Sequence, residues 1–353
     1  MKFIFYGVIL TSLLFLNVFL IYPVNAIDLK GDFRIREENK YRNIDDRRAR
    51  IRFRLKGIKD LSDKTTLKFG LATGGLNQRS TNQTLGGGFE TPDIRLDYVF
   101  LNYKLTKQLS FLAGKMKNPL YRPSDLLWDS DINPDGVGFS YHAKTQLQIV
   151  DVLLNVGNFV LGDGKTINDP FLFAIQPGFK LKINDNVNFQ SALGVYFTEN
   201  LKGQEIESDY PIAGSNNTLK EFIPIVLSSH FDIYDQLGVQ IIRPYSELVV
   251  NLNESHSNKG AIIGVKFGHK KIKGWETWHY SASYRYLQSD AWLDTLPDSD
   301  AYGGKTNAKG LEIEFTFGLT KALSWGLDVY YMSQIIGGDS NELLIQTDLN
   351  VKF

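Results

Sequence analysis

No cysteine occurs among the 353 residues. That absence excludes disulfides, thiolate-bound zinc and thiol catalysis, but it does not fix the compartment. Neither charge is in surplus, since 39 Lys and Arg stand against 39 Asp and Glu. Nucleic-acid binders normally carry a basic excess, so no nucleic-acid partner is expected. His142, His230, His256, His269 and His279 are scattered, and no HExxH pair exists, which removes a common zinc-hydrolase signature. Gly86 to Gly88 is not followed by Lys and Ser or Thr, so it is a flexible loop tip rather than a phosphate loop. The GFSYH stretch from Gly138 to His142 lacks the second glycine of a nucleophile elbow. No catalytic residues are therefore assigned, and no enzyme is expected. After the N-terminal segment no run of 18 apolar residues remains, so no second membrane helix is expected.

Glycine and aromatic residues are plentiful, which suits a β-rich chain. At the N-terminus Lys2 precedes a long apolar run, and Pro23 leads to Val24, Asn25 and Ala26. A charged start, an apolar centre and small residues at the end describe a signal peptide over residues 1–26, cleaved after Ala26. The remaining domain is then 27–353. An uncleaved anchor is the alternative, because the apolar run is nearly long enough to span a bilayer.

The rest of the chain alternates with a period of two. In LLIQTDLNVKF, Leu343, Ile345, Thr347, Leu349, Val351 and Phe353 share one face, and Leu344, Gln346, Asp348, Asn350 and Lys352 share the other. That pattern is a strand with one apolar and one polar face. About 16 such segments follow one another: 27–37, 48–59, 65–73, 94–104, 109–116, 136–143, 146–157, 171–183, 187–198, 220–231, 237–251, 260–269, 275–287, 308–319, 324–332 and 343–353. Most are close to the roughly 9–11 residues that a tilted strand needs to cross a bilayer. In 94–116 and 146–183 the faces do not separate cleanly, and near Asp151 and Pro177 the parity slips, as a bulge or a misplaced strand limit would make it. Links near 60–64, 105–108, 144–145, 184–186, 232–236, 270–274 and 320–323 are short. They alternate with longer ones at 38–47, 74–93, 117–135, 158–170, 199–219, 252–259, 288–307 and 333–342. Transmembrane barrels sort their loops in this way, whereas a soluble sandwich has no reason to. The expected fold is an all-β transmembrane antiparallel barrel of about 16 strands.

From Ala113 to His142 the sequence AGKMKNPLYRPSDLLWDSDINPDGVGFSYH resembles the putative-porin family of Gram-negative bacteria, which is similar to 16-stranded phosphate-selective and general-diffusion porins. Gly114, Lys115, Asn118, Pro119, Ser124, Asp125, Leu126, Trp128, Asp129, Asp131, Asn133, Pro134 and Gly136 carry the likeness. The opening LKGDFRIREE, the RRARIRFRLKG segment and the terminal Phe353 add to it. The resemblance implies an outer-membrane diffusion channel for small hydrophilic solutes or ions, set in lipid and lipopolysaccharide and assembled as a homotrimer. It also implies that the third long loop folds into the barrel. An adhesin or a barrel enzyme acting through the long outer loops is the alternative.

Charge then points to a pore. Arg48, Arg50, Arg52, Arg54 and Lys56 share one face of the second segment, and Lys30, Arg34 and Arg36 extend that face on the first. An Arg facing lipid at the midplane costs about 2–4 kcal/mol, so this ladder is expected to face the lumen. In the third long loop, WDSDINPDG contributes Asp129, Asp131 and Asp135, with Asp125 just before it. A constriction between the basic ladder and the acidic loop would set up a transverse field that sorts ions; alternatively the opposed charges simply pair and fix the loop to the wall. No cofactor is expected. Taken as an EF-hand with Asp129 first, the segment puts Pro134 at position 6 and Ser140 at position 12, which fails the motif. A looser calcium site on Asp129, Asp131 and Asp135 is the remaining metal reading. Trp275, Trp278, Tyr284, Tyr286, Trp325 and Tyr331 suit either interfacial girdles or packing between protomers.

Overall fold

The computed structural model describes residues 27–42, 45–145, 149–162, 168–202, 220–338 and 341–353. The signal-peptide segment 1–26 lies outside them. The strands are β1 (Asp28–Tyr41), β2 (Asp46–Asp60), β3 (Thr65–Thr73), the two-residue β4 (Gln83–Thr84), β5 (Ile94–Lys104), β6 (Leu109–Lys115), β7 (Asp135–Lys144), β8 (Val150–Val160) and β9 (Phe171–Lys182). They continue with β10 (Val187–Glu199), β11 (Pro224–Gln236), β12 (Val239–Asn251), β13 (Lys259–Gly268), β14 (Trp278–Leu287), β15 (Ala308–Gly318), β16 (Leu323–Gln334) and β17 (Glu342–Lys352). All except β4 pair antiparallel with their neighbours in chain order, and β1 pairs with β17 from Asp32↔Lys352 to Tyr41↔Leu343. The result is a closed barrel of sixteen strands, which leaves no open sheet edge in the ring. The terminal residue fastens the seam. The Phe353 and Gly31 backbones exchange hydrogen bonds of 3.0 and 2.8 Å, and the Phe353 ring stacks on Phe53 at 6.1 Å.

Alternation sets the faces. Ile35, Leu193, Leu227, Ile263, Leu311 and Tyr331 point outward and are exposed, whereas Arg36, Asn155, Asp232, Glu247, Arg285 and Asp348 are buried on the inner side. An apolar outer band around a polar interior is the arrangement a bilayer requires of a barrel. Strand limits depart furthest from the sequence expectation in three places. The first long link shrinks to residues 42–45, because β1 continues through charged residues that pair with β2 and β17. Strand β8 occupies 150–160 rather than 146–157. Strand β11 runs on to Gln236, and the turn that ends it places Asp235, Leu237 and Gly238 at positive φ.

The ambiguous faces have physical causes. No register shift occurs at Asp151 or Pro177. The irregularity lies between β3 and β5, where the register moves by one residue after Gly70. Asp97 is the extra residue. Before it Ile94 and Leu96 face out; after it Tyr98 and Phe100 are buried inward. Strands β8 and β9 do not separate cleanly because their inner faces mix polar Asn155 and Gln176 with apolar side chains. Phe159, Leu172, Ala174 and Tyr196 turn inward against a core supplied by two loops, in which Met116, Leu126, Leu127, Trp128, Trp292 and Leu293 are buried.

Candidate functional site

Loop 116–134 leaves β6 and enters β7 through a pair of glycines. Gly114 and Gly136 are register partners with φ of +123° and +148°. A Cβ on Gly136 would collide with the carbonyl oxygen of Asn158, so the chain can bend here only with glycine at that place. The loop then contacts strands all round the barrel. Lys117 pairs with Asp97 of β5 at 3.4 Å. The Tyr121 N–H donates to Gln176 of β9 at 2.7 Å, and its hydroxyl bonds His230 of β11. Ser124 Oγ donates to Glu247 of β12 at 3.2 Å. Asp125 meets Arg285 of β14 at 2.8 Å, and Asp131 meets Arg54 of β2 at 3.3 Å. The bulged Asp97 earns its position, since its carboxylate accepts from Asn133 Nδ2 at 2.7 Å. Bulges re-aim side chains in this way.

Among the predicted acids, Asp131 alone touches the ladder. Its other oxygen accepts from the Thr81 backbone and hydroxyl at 3.1 and 3.0 Å. Asp129 is buried and accepts from the backbone N–H groups of Asp131 (2.8 Å) and Ser299 (2.9 Å). Burial, and then the Asp131 charge, push its carboxyl up to about 7, with the two N–H donors opposing. Asp135 stands apart at the head of β7, exposed and paired with Lys115 at 3.0 Å. The calcium reading fails geometrically, because Asp129, Asp131 and Asp135 are engaged with different partners. The one converging acidic group among the described residues is Asp125, Asp298 and Glu312.

The basic ladder is matched within the wall. Arg48 and Arg50 both meet Glu38. Arg52 and Arg54 share Asp32 at 3.0 and 3.1 Å. Arg34 and Arg36 share Asp348 at 3.3 and 2.7 Å, and Arg36 also reaches Asp300 and Asp328. Lys56 lies opposite Lys30 in register and lines the cavity at the β1, β2 and β17 ends with Asp32, Arg54, Lys352 and Phe353.

A second loop, 288–307, was not singled out by sequence reasoning. Its Trp292 is fully buried, donates to the Leu127 carbonyl at 2.6 Å and packs on Trp128 and Tyr196. Arg79 from loop 74–93 reaches into it and donates to the carbonyls of Asp294, Pro297 and Gly304 at 3.2, 3.3 and 2.8 Å. Asp298 faces Arg285, and burial together with the Asp125 charge pushes its carboxyl well above the ordinary range. The available signal was Ala291, Trp292, Leu293 and Leu296, an apolar group inside a long loop.

A closed sixteen-stranded barrel with an apolar belt, a charged interior and packed loops defines a porin-type channel of the bacterial outer membrane. The chain belongs to the family described as "Putative porin", whose model matches residues 38–225 and 215–353. Membership of that family carries the function of an outer-membrane diffusion channel. Among solved structures, Pseudomonas putida OprB at high pH is similar with a TM-score of 0.59 and 12% identity, covering 93% of this chain and 94% of that one. Salmonella typhi OmpF in complex with daunomycin gives 0.54 and 12%, covering 94% and 99%. A triple mutant of Rhodopseudomonas blastica porin gives 0.50 and 9%, covering 93% and 100%. At such identities the likeness is one of fold. No curated protein sequence matches this chain.

Proposed function

We propose that the protein passes small hydrophilic solutes by passive diffusion through a lumen narrowed by loop 116–134, which crosses the barrel interior with loop 288–307 packed against it. The contacts of one loop with β2, β5, β9, β11, β12 and β14 carry this reading. A segment bonded to strands on opposite sides of a ring lies across the ring. The constriction has the ladder of Arg34, Arg36, Arg48, Arg50, Arg52, Arg54 and Lys56 on one side and Asp125, Asp129 and Asp131 on the loop. Pairing and field act together here, since an ion pair that fixes the loop also leaves charge of each sign along the passage. Removal of residues 1–26 on export and assembly as a homotrimer complete the proposal. It is tested by liposome swelling with neutral sugars of rising size. The intact protein should exclude sugars that a variant lacking residues 119–132 admits. An unchanged size limit in a folded deletion variant would sink the constriction.

A further inference from the structure

Short connections close the barrel on the side of Gly31 and Phe353, which in a transmembrane barrel is the periplasmic rim. Among the described strands, the longest connection at this rim is 269–277, between β13 and β14. It reads HKKIKGWET and sets Lys270, Lys271 and Lys273 against one carboxylate, Glu276. The turn from β15 to β16, next to it in the ring, adds Lys321. Lys270 lies over the Tyr234 ring, 4.1 Å from its centroid. Lys271, Lys273 and Lys321 are exposed, and among the described residues no carboxylate comes within ion-pair distance of them.

The turn is seated against the end of β15. The Gly318 N–H donates to the Thr277 carbonyl at 2.7 Å, and the Lys273 N–H donates to Thr277 Oγ1 at 3.0 Å. A side chain at Gly318 would keep the turn away, since a Cβ there would stand 2.2 Å from the Gly274 carbonyl oxygen. This seating turns Trp275 onto the outer face. Its ring meets that of Phe317 edge-on at 5.3 Å and remains 67% exposed. Phe317 is in register with Trp278 on one side and Trp325 on the other. Phe267, Tyr280 and Phe315 extend the same aromatic surface. The other two tryptophans, Trp128 and Trp292, are buried among loop and strand side chains. Every tryptophan on the outer face therefore lies in this one sector, beside lysines that no carboxylate answers.

We propose that this sector binds an anionic phospholipid of the periplasmic leaflet, with Lys271 and Lys273 at the headgroup phosphate and Trp275 beside the glycerol and the upper acyl chains. A Trp ring suits the level where headgroups meet hydrocarbon. An apolar belt alone takes any lipid; basic side chains at its edge add an attraction for negative headgroups. A zwitterionic headgroup carries its own ammonium, which the lysines repel, so the preference is for a lipid of net negative charge. The inference needs the barrel in its membrane and does not depend on the constriction.

Quenching of tryptophan fluorescence by acyl-brominated lipids tests it, because Trp128 and Trp292 are shielded and the signal comes from this sector. The folded protein is placed in mixed vesicles of phosphatidylcholine and phosphatidylglycerol, with the bromine on one lipid or the other. Phosphatidylglycerol should associate about five-fold more strongly than phosphatidylcholine, the factor that one lysine near an anionic lipid surface contributes. Lys271→Gln with Lys273→Gln should bring that ratio near 1. Lys64→Gln with Lys107→Gln, on other turns of the same rim, should leave it unaltered. Equal quenching by the two lipids in the wild type would overturn the inference, as would an unaltered ratio in the folded Lys271 and Lys273 variant. A ratio that falls equally in the Lys64 and Lys107 variant would overturn it as an effect of bulk charge. Quenching by neither lipid would overturn it too, and would mean that a second copy of the chain covers the sector. Conduction is read separately, so none of these results bears on the channel.

Discussion

Asp129 and Arg79 do opposite things with buried charge. Arg79 brings a cation to three carbonyls of loop 288–307, and charge-assisted bonds of that kind contribute about 1.5–3 kcal/mol. Asp129 brings an anion to two backbone N–H groups but sits beside Asp131, and burial sets its carboxyl near 7 against an ordinary 3.8. A folded value above the unfolded one means that the fold holds this proton more tightly than the unfolded chain does. The resulting stability is fully present below about 3.8 and is lost as pH rises through about 7. Asp129→Asn does not titrate. Between pH 5 and pH 8 the heat-unfolding midpoint of the wild type should therefore fall relative to that of the variant. Parallel midpoints across the range would show that the two N–H donors cancel the effect of burial.

At the scale of elements, the two loops pack against each other as one unit. Trp292 joins them through its bond to Leu127 and its contacts with Trp128 and Tyr196. Truncating a buried Trp costs about 3–5 kcal/mol. Trp292→Ala should leave the barrel closed, because no ladder bond passes through it, while loosening loop 116–134. Single-channel records should then show more flicker and larger mean steps than the wild type; records matching the wild type would mean that the loop is held without Trp292. The strands themselves were legible because a lipid face and a wet face force alternation, as in Leu343 to Phe353 and Ala49 to Lys56. Legibility failed where that contrast fails. In β8 and β9 the inward Phe159 and Leu172 meet loop side chains, and in β5 the extra Asp97 reverses the parity. The candidate site was half legible. Spacing gave the ladder's face, but Asp348, the carboxylate that Arg34 and Arg36 share, lies more than 300 residues away in sequence. The role of Arg285 depends on carboxylates from two loops and a neighbouring strand, which no local pattern announces.

For the whole molecule, closure through Phe353 and Gly31 makes a single ring whose outer surface suits lipid and whose interior is divided. One part is filled by buried side chains of loops and strands; the rest carries charged residues in ion pairs. Proteins that act by adhesion need the outer loops but not a water-filled interior, whereas a diffusion channel needs a passage beside the packed loops. Planar-bilayer recording of the purified, folded protein bears on that difference most directly. Addition should produce large, steady, stepwise increases in current that persist at low voltage. A heat-modifiable, correctly folded barrel that inserts yet gives no current steps would contradict the account.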